Sequence, residues 1–214
     1  MKPQLRWDFP TTIETIHVPE LQADVRNCLH GYNEQGTIVK TLYCTRDGRF
    51  FVHFPDGWQE LKPTFSPCSL NYKGGSCYPI MRRYGNKRCH CLMAHAWIGA
   101  RPEGMEIDHL NGNKLDWSAD NLQYVTTAEN IRRSILLKRM RKIGLQPKWL
   151  YYGTLRHLYS LPHEQAERVI AQFPFEAGTR DDALTIERIN MTFAYLFDEV
   201  KSGSIVTIIK VESI

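Results

Sequence analysis

The sequence predicts an α+β protein whose β-rich first part leads into a strand–loop–strand–helix centre and a helical end. Three observations carry this expectation. Short apolar runs between 34 and 88 are punctuated by Asp47-Gly48 and Asp56-Gly57, pairs that favour tight hairpins. Two alternating runs, MEIDHL and NLQYVT, flank the turn-rich stretch NGNKLDWSAD. From Thr127 onward, apolar residues recur at three- and four-residue steps, the period of helices with one buried face. The chain accordingly divides into an N-terminal segment (1–33), a small β-rich module (34–89), a central core (90–143) and a helical C-terminal region (144–214).

In chain order, the first segment is weakly patterned, and prolines at 3, 10 and 19 interrupt it. ELQADVRNCLHGY reads as a short helix ending near Gly31. Strands are expected at Thr41–Cys44, Arg49–Phe54 and Trp58–Leu61, with two more around Leu70–Tyr72 and Cys77–Met81 on either side of Lys73-Gly74-Gly75-Ser76. Tyr72, Tyr78 and Tyr84 suit the packing of such a sheet, since aromatics favour pleated surfaces. HCLMAHAWIG reads as a short helix. Thr126 or Thr127 is placed to cap a longer one, AENIRRSILLKRM. KWLYYGTLRHLYSL and HEQAERVIAQF read as two helices joined at Leu161-Pro162. A helical hairpin packed on a core is the simpler meaning, with a DNA-reading helix-turn-helix as its competitor. FPFEAGTRDD is a linker, ALTIERINMTFAYLFDEV an amphipathic helix, and IVTIIKV an apolar β-like tail.

Four polar residues sit on the central frame: Asp108, His109, Asn121 and Asn130. Asp108 offers a carboxylate oxygen and Asn130 an amide oxygen, the hard donors magnesium takes while water and phosphate fill its remaining positions. A neutral histidine beside them can accept a proton from water. Asn121 can brace the loop across the hairpin. Taken singly, each asparagine or aspartate also suits a plain turn role. Asp108 and His109 are adjacent, and neighbours on a strand face opposite ways, so both serve one site only if the strand ends or bends there. Asn111-Gly112 supplies that break.

The stretch around these residues resembles the HNH nucleases, most of all the homing and phage endonucleases that carry asparagine in the last position. The resemblance rests on Asp108-His109, on Asn121 within DNLQYVT, and on Asn130 within TTAEN. It extends upstream to HCLMAHAWIG, with Cys91 where the family commonly has arginine. By motif it spans roughly a quarter of the chain. It implies a ββα-metal (His-Me finger) core built on one Mg2+ or Mn2+ ion. It further implies His109 as general base, Asp108 and Asn130 as metal ligands, and Asn121 as the support completing the catalytic set. The β module, with LYCTRDGRF followed by LKP, is similar to those that often precede such cores. DNA is the implied partner, with Arg82, Arg83, Lys87, Arg88, Lys114, Arg132 and Arg133 as candidate phosphate contacts.

Charge distribution agrees with a polyanionic partner. From Arg82 to Lys142 there are 12 lysines and arginines against 6 acids, while the whole chain carries only +4. No run approaches the roughly 18 apolar residues of a membrane helix, so no membrane partner is expected. MKPQLRWDFPTTIETIHVPE lacks the apolar core of a secretory signal. Six cysteines in 214 residues do not make a disulfide scaffold, and a reducing cytoplasm, bacterial or of a phage-infected host, is the simpler expectation. Cys89 and Cys91 lie closer than zinc thiolates usually do, and Cys68 and Cys77 too far apart for one knuckle. Buried packing thiols are therefore expected over structural zinc, and His90 and His95 as structural residues of the short helix. The expected function is a metal-dependent DNA endonuclease hydrolysing phosphodiester bonds, favoured by the intact Asp-His and Asn set; the alternatives are a DNA-binding protein that keeps the scaffold without turnover and a zinc-stabilised interaction module. A monomer with one site would nick and a homodimer would cut both strands; RNA remains a further substrate class.

Overall fold

A computed structural model of the chain describes residues 5–65, 78–174 and 182–202. The chain divides into two compact units, one comprising residues 1–109 and 114–126, the other 110–113 and 127–214.

The first unit is built on an antiparallel six-stranded sheet. Its strands are β1 (Arg6–Asp8), β2 (Thr15–Val18), β3 (Ala23–Tyr32), β4 (Ile38–Thr45), β5 (Phe50–Phe54) and β6 (Gly57–Leu61). The order is β1-β3-β4-β5-β6, and β2 pairs with the start of β3. Both Asp-Gly turns fall where the sequence places them, between β4 and β5 and between β5 and β6. The short helix expected over residues 20–32 is not formed; β3 occupies that stretch. The reason is a bulge. Register slips between Asn27 and Leu29, so Cys28 and Leu29 are both buried alongside Val25. Val25, Cys28 and Leu29 thereby mimic the i, i+3, i+4 spacing of a helix while the backbone is hydrogen-bonded on both sides.

A second, three-stranded sheet follows, with β7 (Thr64–Phe65), β8 (Pro79–Met81) and β9 (Lys87–Arg88). The strand expected around Cys77–Met81 starts at Pro79; that around Leu70–Tyr72 lies outside the described residues. The helix α1 (Cys89–Trp97) buries Cys89, Leu92, Met93, Ala94 and Ala96. It ends at Gly99, whose N–H reaches back to the Ala94 carbonyl. The hairpin of β10 (Met105–His109) and β11 (Leu122–Thr126) completes the unit, in continuous antiparallel register from Met105–Thr126 to His109–Leu122. One apolar core joins β3, β4 and β5 to α1 and the hairpin through Leu29, Leu42, Phe50, Leu92, Met93 and Leu122.

The second unit is helical: α2 (Thr127–Lys142), α3 (Tyr152–Ser160), α4 (His163–Gln172) and α5 (Ala183–Ser202). Their inner faces meet in one core with Phe193 and Leu155 fully buried. No residue separates β11 from α2, so the expected strand–loop–strand–helix order is present, in a mixed α+β chain of antiparallel sheets and helices. Pro162 immediately precedes α4 rather than standing inside it. The tail IVTIIKV and most of the linker FPFEAGTRDD lie outside the described residues. Residues 110–113 join this unit: Leu110 is fully buried in its core, and its carbonyl accepts the Tyr159 hydroxyl at 2.7 Å. Gly112 sits at φ +66°, a left-handed conformation that favours glycine at this turn.

Asn190 is the polar hub of the helical unit. Its Oδ1 accepts the Tyr151 N–H at 2.8 Å and the Thr154 hydroxyl at 2.7 Å, and its Nδ2 donates to the Trp149 and Ile186 carbonyls. All its hydrogen-bonding positions are used in a site only 7% exposed. Asn190→Ala should destabilise this unit by about 2–3 kcal/mol, through the desolvated groups it strands. Urea unfolding followed by helical circular dichroism measures this, and an unchanged midpoint would refute it.

Candidate active site in the central hairpin

Strand β10 ends at His109, with the chain turning at Leu110 and Asn111. Asp108 is the last interior residue of the strand and His109 its terminus, both still in register with β11. Asp108 is half-buried opposite Gln123, whose side-chain amide lies 3.5 Å from its carboxylate. His109 is 6% exposed and opposite Leu122.

The ring of His109 packs in an aromatic cluster. His90, in the first turn of α1, meets it edge to face, with centroids 5.3 Å apart and planes at 76°. Tyr78 packs on both, at 4.7 Å from His90 and 6.4 Å from His109. Two cations lie over the Tyr78 ring, Arg88 and Lys114, each 5.0 Å from its centroid. Burial pushes the His109 pKa down to about 4; Asp116 opposes this shift and Lys114 reinforces it. His90 is pushed to about 3 by burial, by His109, and by Arg88 and Lys114. Both imidazoles are therefore neutral at pH 7, the form in which a histidine can accept a proton. Nε2 of His109 is sealed from solvent and has no hydrogen-bond partner among the described residues. Nδ1 is not among the sealed nitrogens without a partner.

The loop between the strands is held by polar side chains. Asn121 is fully buried and donates from Nδ2 to the Asp116 carbonyl at 2.8 Å. It stands in a short 3-10 turn, Ala119–Asn121, just ahead of β11 rather than at the start of the strand as the alternation suggested. The Ser118 hydroxyl closes a second ring onto Asp116 at 2.7 Å. Trp117 Nε1 donates to the Gly48 carbonyl at 2.8 Å, and Ala119 N donates to the Arg46 carbonyl at 2.9 Å. Arg46 and Asp120 add a forked ion pair on the surface. Gly48 has φ +98°, and a Cβ there would sit 2.9 Å from the Trp117 indole, so Asp47-Gly48 serves the hairpin and the loop together.

The remaining expected contacts separate into groups. Arg88 and Lys114 stand at the histidine cluster. Arg82, Arg83 and Lys87 line an open groove of about 1230 Å³ elsewhere on the first unit, with Lys40 and Lys62. Its floor carries Trp7, Phe54 and Tyr84. Asn130, Arg132 and Arg133 lie on α2 in the helical unit. There the Arg132 guanidinium donates to the Leu161 carbonyl at 2.8 Å and to that of Tyr159. Arg133 is buried with its guanidinium over the Tyr159 ring. Two contributions escaped the sequence reading. His90, expected to be structural, packs against His109, and Trp117 pins the loop to the β4–β5 turn. The upstream helix carried the only signal for the first, and nothing local marked the second.

Among the described residues no three His, Cys, Asp or Glu side chains gather to hold a metal. Cys28, Cys44 and Cys89 are buried free thiols, and burial pushes the Cys89 thiol up to about 12. Cys68 and Cys77 lie outside the described residues. Asp108, at the end of β10, offers a hard carboxylate oxygen, the donor type that magnesium takes alongside water and phosphate.

A strand closing on a carboxylate–histidine pair, a braced loop, and a return strand running straight into a helix make up the centre of this α+β chain. The comparison with known families falls on that same stretch: residues 87–132 match the HNH endonuclease family model. No curated protein and no solved structure matches the chain. No helix among the described residues is long and apolar enough to cross a membrane.

The two depressed histidines predict the acid response of the first unit. Unfolding restores their ordinary values near 6.5, so the unfolded chain binds more protons between that value and the folded ones. The stability they permit is fully present above about 6.5 and is lost as pH falls towards 4. Thermal midpoints across pH 7 to 4 should decline in this window, and less steeply in His90→Phe; parallel curves would contradict the assignment.

Proposed function

We propose that the chain is a metal-dependent DNA endonuclease that hydrolyses phosphodiester bonds, of the homing or phage HNH type, nicking one strand when it acts as a monomer. The observation that carries this reading is His109: a buried, neutral imidazole closing β10 directly after Asp108, inside the segment that matches HNH endonucleases.

The chemistry follows from the residues. His109 Nδ1 accepts a proton from water as the water oxygen bonds to phosphorus. The bond from phosphorus to the leaving sugar oxygen then breaks, and that oxygen takes up a proton from solvent. The motif gives Asp108 and Asn130 as the residues that would hold a magnesium or manganese ion. Such an ion supplies charge neutralisation at the phosphate when bound. Asn121 keeps the loop, and with it the end of β10, in one conformation. We assign a phosphate oxygen to Arg88 and Lys114, which lie over the Tyr78 ring that packs on both histidines. Arg82, Arg83 and Lys87 track the backbone along their groove, a sequence-independent contact that positions DNA. The guanidinium groups of Arg132 and Arg133 are engaged within the helical unit.

Cleavage of supercoiled plasmid with magnesium or manganese tests the proposal. The parent chain should relax the plasmid, and His109→Ala should lower the rate about 100-fold or more, the usual contribution of a general base. Equal rates would place any activity elsewhere, and DNA retention without cleavage by the parent would favour a binding role.

The groove makes its own prediction. Replacing Arg82, Arg83 and Lys87 together by alanine should weaken duplex binding on all sequences alike. It should also flatten the dependence of log affinity on log salt by about 2–3. Fluorescence anisotropy over a salt series reads both, and an unaltered slope would remove the groove from the interface.

A further inference from the structure

We infer that His90 is a positioning residue for His109: its Nδ1 takes the N–H at His109 Nε2, which fixes the tautomer that leaves His109 Nδ1 free to accept the proton of the attacking water. The inference rests on the nuclease reading above for the role of that proton, and on geometry for the pairing.

Both rings are 6% exposed and meet edge to face. His90 Nδ1 and His109 Nε2 are each sealed from solvent, and neither has a hydrogen-bond partner among the described residues. A buried polar nitrogen without a partner is costly, and neighbouring rings each carrying one share a single solution. A neutral imidazole has one N–H and one lone pair, so one ring must donate and the other accept. With His109 as donor, its Nδ1 holds the lone pair needed for general-base work; with His90 as donor, that nitrogen would carry a proton and the base would be disabled. The pair closes as substrate tightens the site, as catalytic hydrogen bonds do when an empty site fills. When His109 takes up the proton of water at Nδ1, the charge it gains faces the lone pair of His90.

The setting favours a fixed geometry. His90 stands in the first turn of α1, whose Cys89, Leu92 and Met93 are fully buried, so its backbone is anchored in the core of the unit. Tyr78 packs on both imidazoles and limits their rotation. An aromatic residue would satisfy this packing equally well, and the polar requirement is what a test must isolate.

The experiment compares the full chain with His90→Phe, which keeps ring bulk, and His90→Gln, which restores an acceptor. Nitrogen-15 spectra of histidine-labelled protein, with and without a short DNA duplex, report the tautomer of His109. The parent should show the Nε2–H form, most sharply with duplex bound. His90→Phe should lose that preference and lower kcat about 10-fold or more while leaving duplex affinity unchanged, the scale on which residues orienting a functional histidine act. His90→Gln should recover part of both. A parent His109 in the Nδ1–H form, or a His90→Phe protein with parental tautomer and kcat, would overturn the inference and leave His90 as packing. If the parent chain cleaves nothing, the nuclease reading fails, and the tautomer in parent and variants still decides the pairing. Should His90→Phe not fold, the parent spectrum and His90→Gln decide it.

Discussion

Everything at the centre of this molecule depends on keeping one imidazole dry. His109 stays neutral because burial disfavours its charged form, and burial at the end of a two-stranded ribbon is hard to arrange. Isolated ribbons are marginal in water. The solution here is to back the ribbon with α1, whose apolar face joins the core of the six-stranded sheet, and to bring a second neutral ring from that helix against the first. The cations near Tyr78 work in the same direction, since positive charge nearby makes a third positive charge on either ring unfavourable.

The loop between β10 and β11 shows how a polar segment can be rigid. Asn121 and Ser118 close it on itself through Asp116, while Trp117 and Ala119 tie it to the β4–β5 turn. The partly buried bonds from Asn121 and Trp117 matter more than the exposed Arg46–Asp120 pair, whose partners stay largely hydrated and which contributes at most about 1 kcal/mol. A glycine at the facing turn permits the indole to approach so closely.

Much of this was legible in the amino-acid order. Asp47-Gly48 and Asp56-Gly57 marked their hairpins because turn chemistry is local. MEIDHL, NLQYVT and the helix after Thr127 were visible because period and spacing are local too. β3 was misread because a bulge at Cys28 sets two consecutive side chains inward and copies a helical spacing. The meeting of His90 with His109 was not readable, because nothing in HCLMAHAWIG states which strand its first turn will face. The different placements of Arg82 and Arg88, and the engagement of Arg132 with the carbonyls before α4, are likewise properties of the folded chain. A count of basic residues sees the charge but not its partners.

The placement of Leu110 bears on how this protein can be taken apart. The residue following His109 is a core residue of the helical unit, yet the chain returns to the first unit at Lys114 before leaving it again after Thr126. No single cut separates the two. A fragment ending at Thr126 would carry a leucine evolved for a helical core into water, one bond from the histidine. A fragment starting at Thr127 would lack the carbonyl that receives the Tyr159 hydroxyl. The helical part is therefore no interchangeable bead on a string: replacing it with another domain at the end of β11 would disturb the hairpin, and lineages that shuffle such modules would have to carry residues 110–113 along.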